Sequence, residues 1–282
     1  WDAESPGPQR GSRFEGTEVP PLPGTEGVDG LETTWYHEAD STTEVYFEPS
    51  EEVVEPPATV EFTAVNRSEG MIGAPSGLTV YKLVDGEWFL VKPDHSIGEA
   101  IRAPPTEDTE LILHVFHGET RNLPLPRNRE GEVAEFLGGG TYAVDPDAGW
   151  DGGLLAALIE VDAPPLEVEP EEDAVVEHRD STVVVTRSLY FRGSTENISP
   201  PAFVVESAQD TEGIDERLIP EQVYSVEEPL RNALPFFEDD EVERVVVQTR
   251  SSDVEGVLDD GGERRFVYEG DGYVAKRAEE GS

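Results

Sequence analysis

Short runs of alternating apolar and polar residues, broken by turn residues, dominate this chain from residue 31 onward. Thr43-Glu-Val-Tyr-Phe-Glu48 and Thr59-Val-Glu-Phe-Thr-Ala-Val65 are rich in β-branched and aromatic residues, which suits a pleated, half-buried surface. Leu78-Thr-Val-Tyr-Lys-Leu-Val84 and Glu87-Trp-Phe-Leu-Val91 flank Asp85-Gly86. Asp-Gly between two such runs predicts a hairpin, because a type I′ turn needs positive φ at both central residues. Glu110–Phe116, Gly140–Val144 and Leu154–Val161 continue the series. About seven short strands without a helix predict a β-sandwich over residues 31–163.

Ala163-Pro-Pro165 and Pro170-Glu-Glu-Asp173 then break the texture and mark a boundary. Past it, Ala174–His178 and Thr182–Thr186 flank Arg179-Asp-Ser181 as a second hairpin. Ala202–Glu206 and Val242–Gln248 read as strands, and Arg265–Tyr268 pairs with Tyr273–Ala275. Val226–Leu234 has apolar residues at spacings that predict a short helix, with Ser225 as N-cap and Glu228 completing a capping box. Ser251–Leu258 predicts another helix. Residues 164–282 are therefore expected to form a smaller α+β domain. Residues 1–30 hold five Pro and six Gly with little periodicity, which predicts a flexible linker; wrapping of the first domain is the competing reading.

The order of features in the first half carries a resemblance. Ala64-Val-Asn-Arg-Ser68 closes an early strand, Val80-Tyr-Lys-Leu-Val-Asp-Gly-Glu-Trp-Phe89 makes a central hairpin, and Phe136-Leu-Gly-Gly-Gly-Thr-Tyr-Ala-Val144 opens a late strand. Over residues 42–162 this resembles the immunoglobulin-like domains of bacterial and archaeal exported proteins. The stretch Pro93–Thr109 and the pair Gly138-Gly139 depart from that pattern. The resemblance implies an Ig-like sandwich serving as an adhesive, spacer or ligand-binding module, a choice the fold alone does not make.

Charge narrows the setting. Twenty basic and 62 acidic residues give a net charge of −42. Segments 31–163 and 164–282 each carry −19, so the excess belongs to the whole surface and not to a tail. Seventeen of the cations are Arg; Lys82, Lys92 and Lys276 are the three lysines. Phosphate binding needs clustered cations, so nucleic acid and anionic membranes are excluded as natural partners. At molar salt the Debye length falls to about 3 Å, and carboxylates then cease to repel one another at range. Evenly spread acid with scarce lysine resembles proteins of extreme halophiles, most familiarly haloarchaea.

The chain has no cysteine, which excludes disulfides, thiolate metal sites and a cysteine nucleophile. It opens on Trp1, and no apolar run approaches 18 residues, so no transmembrane segment is expected within it. Anchoring through residues upstream of Trp1 is compatible with export.

Candidate chemistry is sparse. His114 and His117 stand three apart in or at the end of one strand and would face opposite sides, so they cannot chelate one ion together without a bulge. No G-x-S-x-G motif occurs, and Gly138-Gly-Gly140 lacks the Lys-Ser/Thr and helix of a phosphate loop. Asp145-Pro-Asp-Ala-Gly-Trp-Asp151 places Asp145, Asp147 and Asp151 at spacings that suit Ca²⁺, although the EF-hand Gly and Glu are replaced by Trp150 and Ala156. A plain acidic turn is the competing reading. K⁺ and Na⁺ should gather diffusely at the surface. Asn66-Arg-Ser68 and Asn197-Ile-Ser199 are glycosylation sequons.

These readings converge on a non-catalytic, extracellular or cell-surface module of an extreme halophile with no cofactor. Its partners would be other envelope proteins or copies of itself, with Trp150 or Tyr190-Phe191 as a candidate contact patch, although buried core is the leading reading of either. The alternatives are a subunit of a filament or S-layer joined through its N-terminal segment, and a hydrolase without a recognisable motif.

Overall fold

A computed structural model describes residues 7–8, 10–23, 32–70, 72–73, 77–93, 102–103, 108–120, 131–146, 149–150, 153–187, 200–208, 210–258 and 262–278. The protein is mainly β. It divides into two compact units, Trp1–Leu166 and Glu167–Ser282.

The first unit contains β1 (Glu32–Trp35), β2 (Val45–Pro49), β3 (Val53–Val54), β4 (Ala58–Asn66), β5 (Ile72–Gly73), β6 (Thr79–Val84) and β7 (Glu87–Lys92). It continues with β8 (Arg102–Ala103), β9 (Thr109–Val115), β10 (Glu132–Ala134), β11 (Gly140–Asp145), β12 (Gly149–Trp150) and β13 (Gly153–Val161). One sheet runs β1-β13-β11-β6-β7, with β3 and β12 also paired to β13. A second runs β10-β9-β4-β2, and β5 pairs with β8. The expected hairpin joins β6 to β7, with φ of 52° at Asp85 and 82° at Gly86. Strand β1 lies parallel to β13, and Gly153 makes this approach feasible: a Cβ there would stand 1.8 Å from the Glu32 carbonyl oxygen. Phe47 and Phe62 stack in the interior at 5.0 Å, with Val60, Leu113, Leu155 and Ile159 fully buried around the unit.

The described part of the N-terminal segment corrects the linker expectation. Residues 10–23 lie against the first unit, where Phe14 and Leu22 join its core. Their Pro and Gly content forbids a regular element without preventing a fixed path, because two apolar side chains are enough to anchor it.

The second unit holds β14 (Val175–Arg179), β15 (Thr182–Thr186), β16 (Ala202–Ser207), β17 (Arg217–Leu218), α1 (Pro220–Ser225), β18 (Arg244–Gln248), α2 (Ser251–Val257), β19 (Glu263–Tyr268) and β20 (Asp271–Arg277). These strands form one mixed sheet, ordered β14-β15-β18-β16-β20-β19-β17. Val183, Val185, Phe203, Val205, Val245, Val247 and Phe266 point from it into a core shared with Val223, Leu230, Leu234 and Val254. The helix expected over 226–234 is displaced. Pro220 opens α1 six residues earlier, and Ser225 ends that helix with its hydroxyl donating to the Glu221 carbonyl. Beyond it, Pro229 and Pro235 each open a single 3₁₀ turn, Glu228–Asn232 and Leu234–Glu238. Each proline lacks the N–H that a continuous helix would need. The helix expected from Ser251 forms as α2.

Candidate functional site

An aromatic face forms on the β1-β13-β11-β6-β7 sheet. Trp35 ends β1 and Trp88 sits in β7, and their rings stack 5.9 Å apart at 22°. Ala143 of β11 and Ala156 of β13 are small enough to leave room beside the indoles, and Leu158, Tyr81 and Leu83 complete the surface. Residues 10–23 cross this face as a strap. Phe14 is 7% exposed and Leu22 is 0% exposed, and burying each contributes about 1.5–3 kcal/mol relative to solvent. The Glu, Gly and Thr residues between them point outward: 15–18 are all exposed.

Polar contacts fix the strap's path. The Trp88 indole N–H donates to the Pro20 carbonyl at 2.8 Å. The Arg13 backbone N–H donates to Glu52 at 2.6 Å, and the Ser12 hydroxyl donates to the same carboxylate. The Arg13 guanidinium meets Glu160 at 2.5 Å. His37, buried beside Trp35, reaches the Thr17 carbonyl with Nε2 at 3.1 Å. A carbonyl accepts only, so this contact puts the proton on Nε2. Nδ1 has no hydrogen-bond partner among the described residues. Each of these contacts is made by a side chain of the body to the strap, or by a strap side chain to the body. None belongs to a β-ladder.

Two ionic clamps occupy the second unit. Arg187 is 5% exposed. Its Nε donates to Glu171 at 2.6 Å and its Nη1 to Asp253 at 2.9 Å, with a second bond to Glu171 and a 3.4 Å contact to Glu228. Burial acts to lower the guanidinium pKa, but the Glu171 bond and the charges of Glu171, Glu228 and Asp253 outweigh it and hold the group above its usual value. Burial likewise pushes the Asp253 carboxyl up. The Thr249 hydroxyl, Arg250 and Arg187 more than offset that, leaving it below the ordinary Asp range. Arg264 of β19 is held by Glu216 at 2.5 Å and Glu227 at 2.7 Å, and it also donates to the Val257 carbonyl at 3.3 Å. Its pKa is raised against the opposing effect of burial by the Glu216 and Glu227 hydrogen bonds. The clamps grip α2 at opposite ends, through Asp253 in its first turn and Val257 at its last residue. Both guanidiniums are saturated by carboxylates of the same chain, so their chemistry is structural.

The residues singled out from the sequence are not brought together. Asp145 lies buried at the end of β11, while Asp147 and Asp151 fall outside the described residues. Among the described residues, no three His, Asp or Glu side chains are grouped to hold a metal. Asn66 ends β4 with 0% exposure. Its Oδ1 accepts from the Ser68 N–H at 3.1 Å and from the Ser68 hydroxyl at 2.7 Å, while Nδ2 donates to the Gly70 carbonyl at 3.0 Å. A glycan on Nδ2 would require this turn to open. Asn197 and Tyr190-Phe191 lie outside the described residues, and Trp150 is described only as part of β12.

His114 turns to Thr59 at 2.9 Å and His117 to the Leu137 carbonyl at 3.1 Å, so they serve separate sites. Gly138-Gly-Gly140 leads directly into β11. A Cβ on Gly139 would stand 2.1 Å from the Ala163 carbonyl oxygen, and the buried Tyr142 hydroxyl donates to the Gly138 carbonyl at 2.7 Å. Wrapping of the first domain, the competing reading of residues 1–30, is what the described residues 10–23 do, and only the face that receives them was missed from the sequence. Phe14 and Val19-Pro-Pro-Leu-Pro23 are the signal for it, but apolar residues spaced irregularly among Pro and Gly carry no period.

No protein-family model matches the chain, and no curated protein does. Among solved structures, it is similar over 43% of its length to an alkylpurine DNA glycosylase, AlkC, of Pseudomonas fluorescens bound to DNA containing an abasic site analogue. The identity is 12% and the TM-score 0.22. It is similar over 44% of its length to a β-glucosidase of Listeria innocua in complex with gluconolactone, with 16% identity and a TM-score of 0.23. The chain spans 31% and 16% of those two proteins. Likeness at this level carries no functional argument.

Proposed function

We propose that the chain is a non-catalytic structural or binding module of the cell surface of an extreme halophile, formed by an Ig-like sandwich and a smaller α+β domain. The order β13-β11-β6-β7 in one sheet and β9-β4-β2 in the other supports the Ig-like reading, since an Ig-like domain would have strands G-F-C-C′ and E-B-A in those orders. The Tyr142 hydroxyl reaching the backbone four residues upstream, at the start of the strand equivalent to F, supports it further as a tyrosine corner. No described helix is long and apolar enough to cross a membrane.

The observation that carries the halophilic setting is the separation of charge. Net charge is −42, while Arg187 and Arg264 are buried among carboxylates and so offer the surface little compensation. Unscreened, such a surface repels itself; in molar salt it stays hydrated and soluble. Heating the protein across a KCl series checks this. The unfolding temperature should fall steadily as salt is removed, with loss of structure in dilute buffer, and equal stability at low ionic strength would overturn the reading. Surface labelling of intact cells by an impermeant reagent tests the location, with a cytoplasmic-only pool as the contrary result.

A further inference from the structure

We propose that the Trp35–Trp88 face is a docking site for a proline-rich segment, and that the strap of a second copy of this chain can fill it in place of its own. The inference deepens the binding-module reading given above and rests on it.

The cis strap reveals what the site recognises. Its Val19-Pro-Pro-Leu-Pro23 stretch is stiffened by three prolines, so little chain entropy remains to be lost on docking. A tryptophan N–H takes a carbonyl within that stretch, and an apolar side chain next to it enters the face. This is the logic by which aromatic grooves bind polyproline segments. Phe14 adds a second plug eight residues upstream, and Glu52 fixes the backbone beside it.

The same contacts make the strap removable. It contributes no strand to the sheet whose face it covers, so β1, β13, β11, β6 and β7 keep all their pairings when it leaves. What departure exposes is an apolar face bearing two indoles, with a His37 N–H and a Trp88 N–H that have lost their acceptors. A face in that state selects a segment that restores both acceptors and both plugs. Residues 10–23 of another copy do so by identity. Tethering gives the cis strap an effective concentration on the order of millimolar, so exchange is expected at high protein concentration or where the cis strap is weakened.

Complementation between two full-length variants tests this in molar KCl. The acceptor, Phe14→Ala/Leu22→Ala, keeps the face and loses the plugs. The donor, Trp88→Ala, keeps the plugs and loses the indole beneath them. Each alone should sediment as a monomer, and their mixture should give a 1:1 dimer. A labelled synthetic peptide of residues 10–23 should bind the acceptor about tenfold or more tighter than it binds the wild-type chain, whose site is filled. It should not bind the acceptor carrying Trp88→Ala as well. If the peptide fails to bind a folded acceptor, the docking site is refuted. If it binds while the mixture stays monomeric, the second copy is refuted as occupant. Should Trp88→Ala not fold, wild-type chain replaces it as donor at high concentration, and absence of dimer refutes exchange. Each of these failures leaves the salt dependence above untouched, so the two readings fall separately.

Discussion

Segments 31–163 and 164–282 carry the same net charge, −19 each, yet the two units close their interiors by different chemistry. The first uses rings and small residues: the Phe47–Phe62 stack, the Trp35–Trp88 pair beside Ala143 and Ala156, and the buried Tyr142 with its hydroxyl on the Gly138 carbonyl. Its Arg67–Asp108 pair lies at the surface. The second buries guanidiniums among carboxylates and uses them to fasten both ends of a seven-residue helix. A helix that short does not hold itself together in water. The difference shows that an acidic surface need not dilute internal order, because cations can be spent inside where salt does not screen them. All four tryptophans precede residue 167, so tryptophan fluorescence follows the first unit while amide exchange at α2 follows the second.

The largest expected effect is on the clamp. Arg187→Met takes the buried cation from Glu171 and Asp253, 13% and 10% exposed, and leaves Asp253 only the exposed Arg250 at 3.3 Å. Breaking a buried pair in this way costs about 3–5 kcal/mol. Denaturant unfolding with exchange at residues 251–257 should register the loss, and the tryptophan transition should stay in place. The acid limb should move too. Asp253 has its pKa lowered in the fold, so its contribution is complete above the ordinary Asp value and fades as pH drops through the lowered one. Removing Arg187 weakens that lowering, so protonation of Asp253 costs the variant less stability in acid and that loss is complete at a higher pH. Arg179→Ala, at a pair exposed on both sides, is the contrast, with a change below about 0.5 kcal/mol. Equal effects from the two would show that the buried clamp holds the second unit no better than an exposed pair of that same unit.

Much of the β framework could be read from period and turn chemistry. The β6–β7 hairpin stood out because Asp85-Gly86 meets a backbone demand that few other pairs meet. Strands of five or more residues were legible for the same kind of reason. The pairs β3, β5, β8, β12 and β17 were not: two residues make no period, and their positions depend on the neighbours that receive them. The misplaced helix has a plainer cause. Spacing at Val226, Leu230 and Leu234 has helical form, but Pro229 and Pro235 divide it into single turns. The clamps were invisible because each joins residues far apart in sequence, as Arg187 does with Asp253. Where the strap docks was illegible because its two plugs are defined by the face they enter.

The buried Tyr142–Gly138 hydrogen bond in the first unit gives a smaller effect. Tyr142 is fully buried and its hydroxyl donates to Gly138. Tyr142→Phe keeps the ring and removes that bond, at a cost of about 1–2 kcal/mol. The tryptophan-detected transition should move by this amount while exchange at α2 is unchanged. A shift confined to α2, or no shift, would deny that this hydrogen bond helps hold the first unit together.

The smallest effect is expected at the β19–β20 turn, where the acidic surface works against the fold. Glu269 has φ of 50° and precedes Gly270. Burial, then Glu238 and Asp271, raise its carboxyl pKa above the usual value. A carboxyl whose pKa is raised on folding binds protons more tightly in the native state, so it destabilises increasingly as pH rises from its unfolded value through its folded one. Glu269→Asn removes the charge and supplies Asn-Gly, the pair best suited to a two-residue hairpin. The variant should gain about 0.5–1 kcal/mol at neutral pH. Part of that gain should vanish in acid, where wild-type Glu269 is protonated, and the remainder should persist as the contribution of turn geometry. A gain that does not change with pH would assign the whole effect to the backbone and none to the crowded carboxylates.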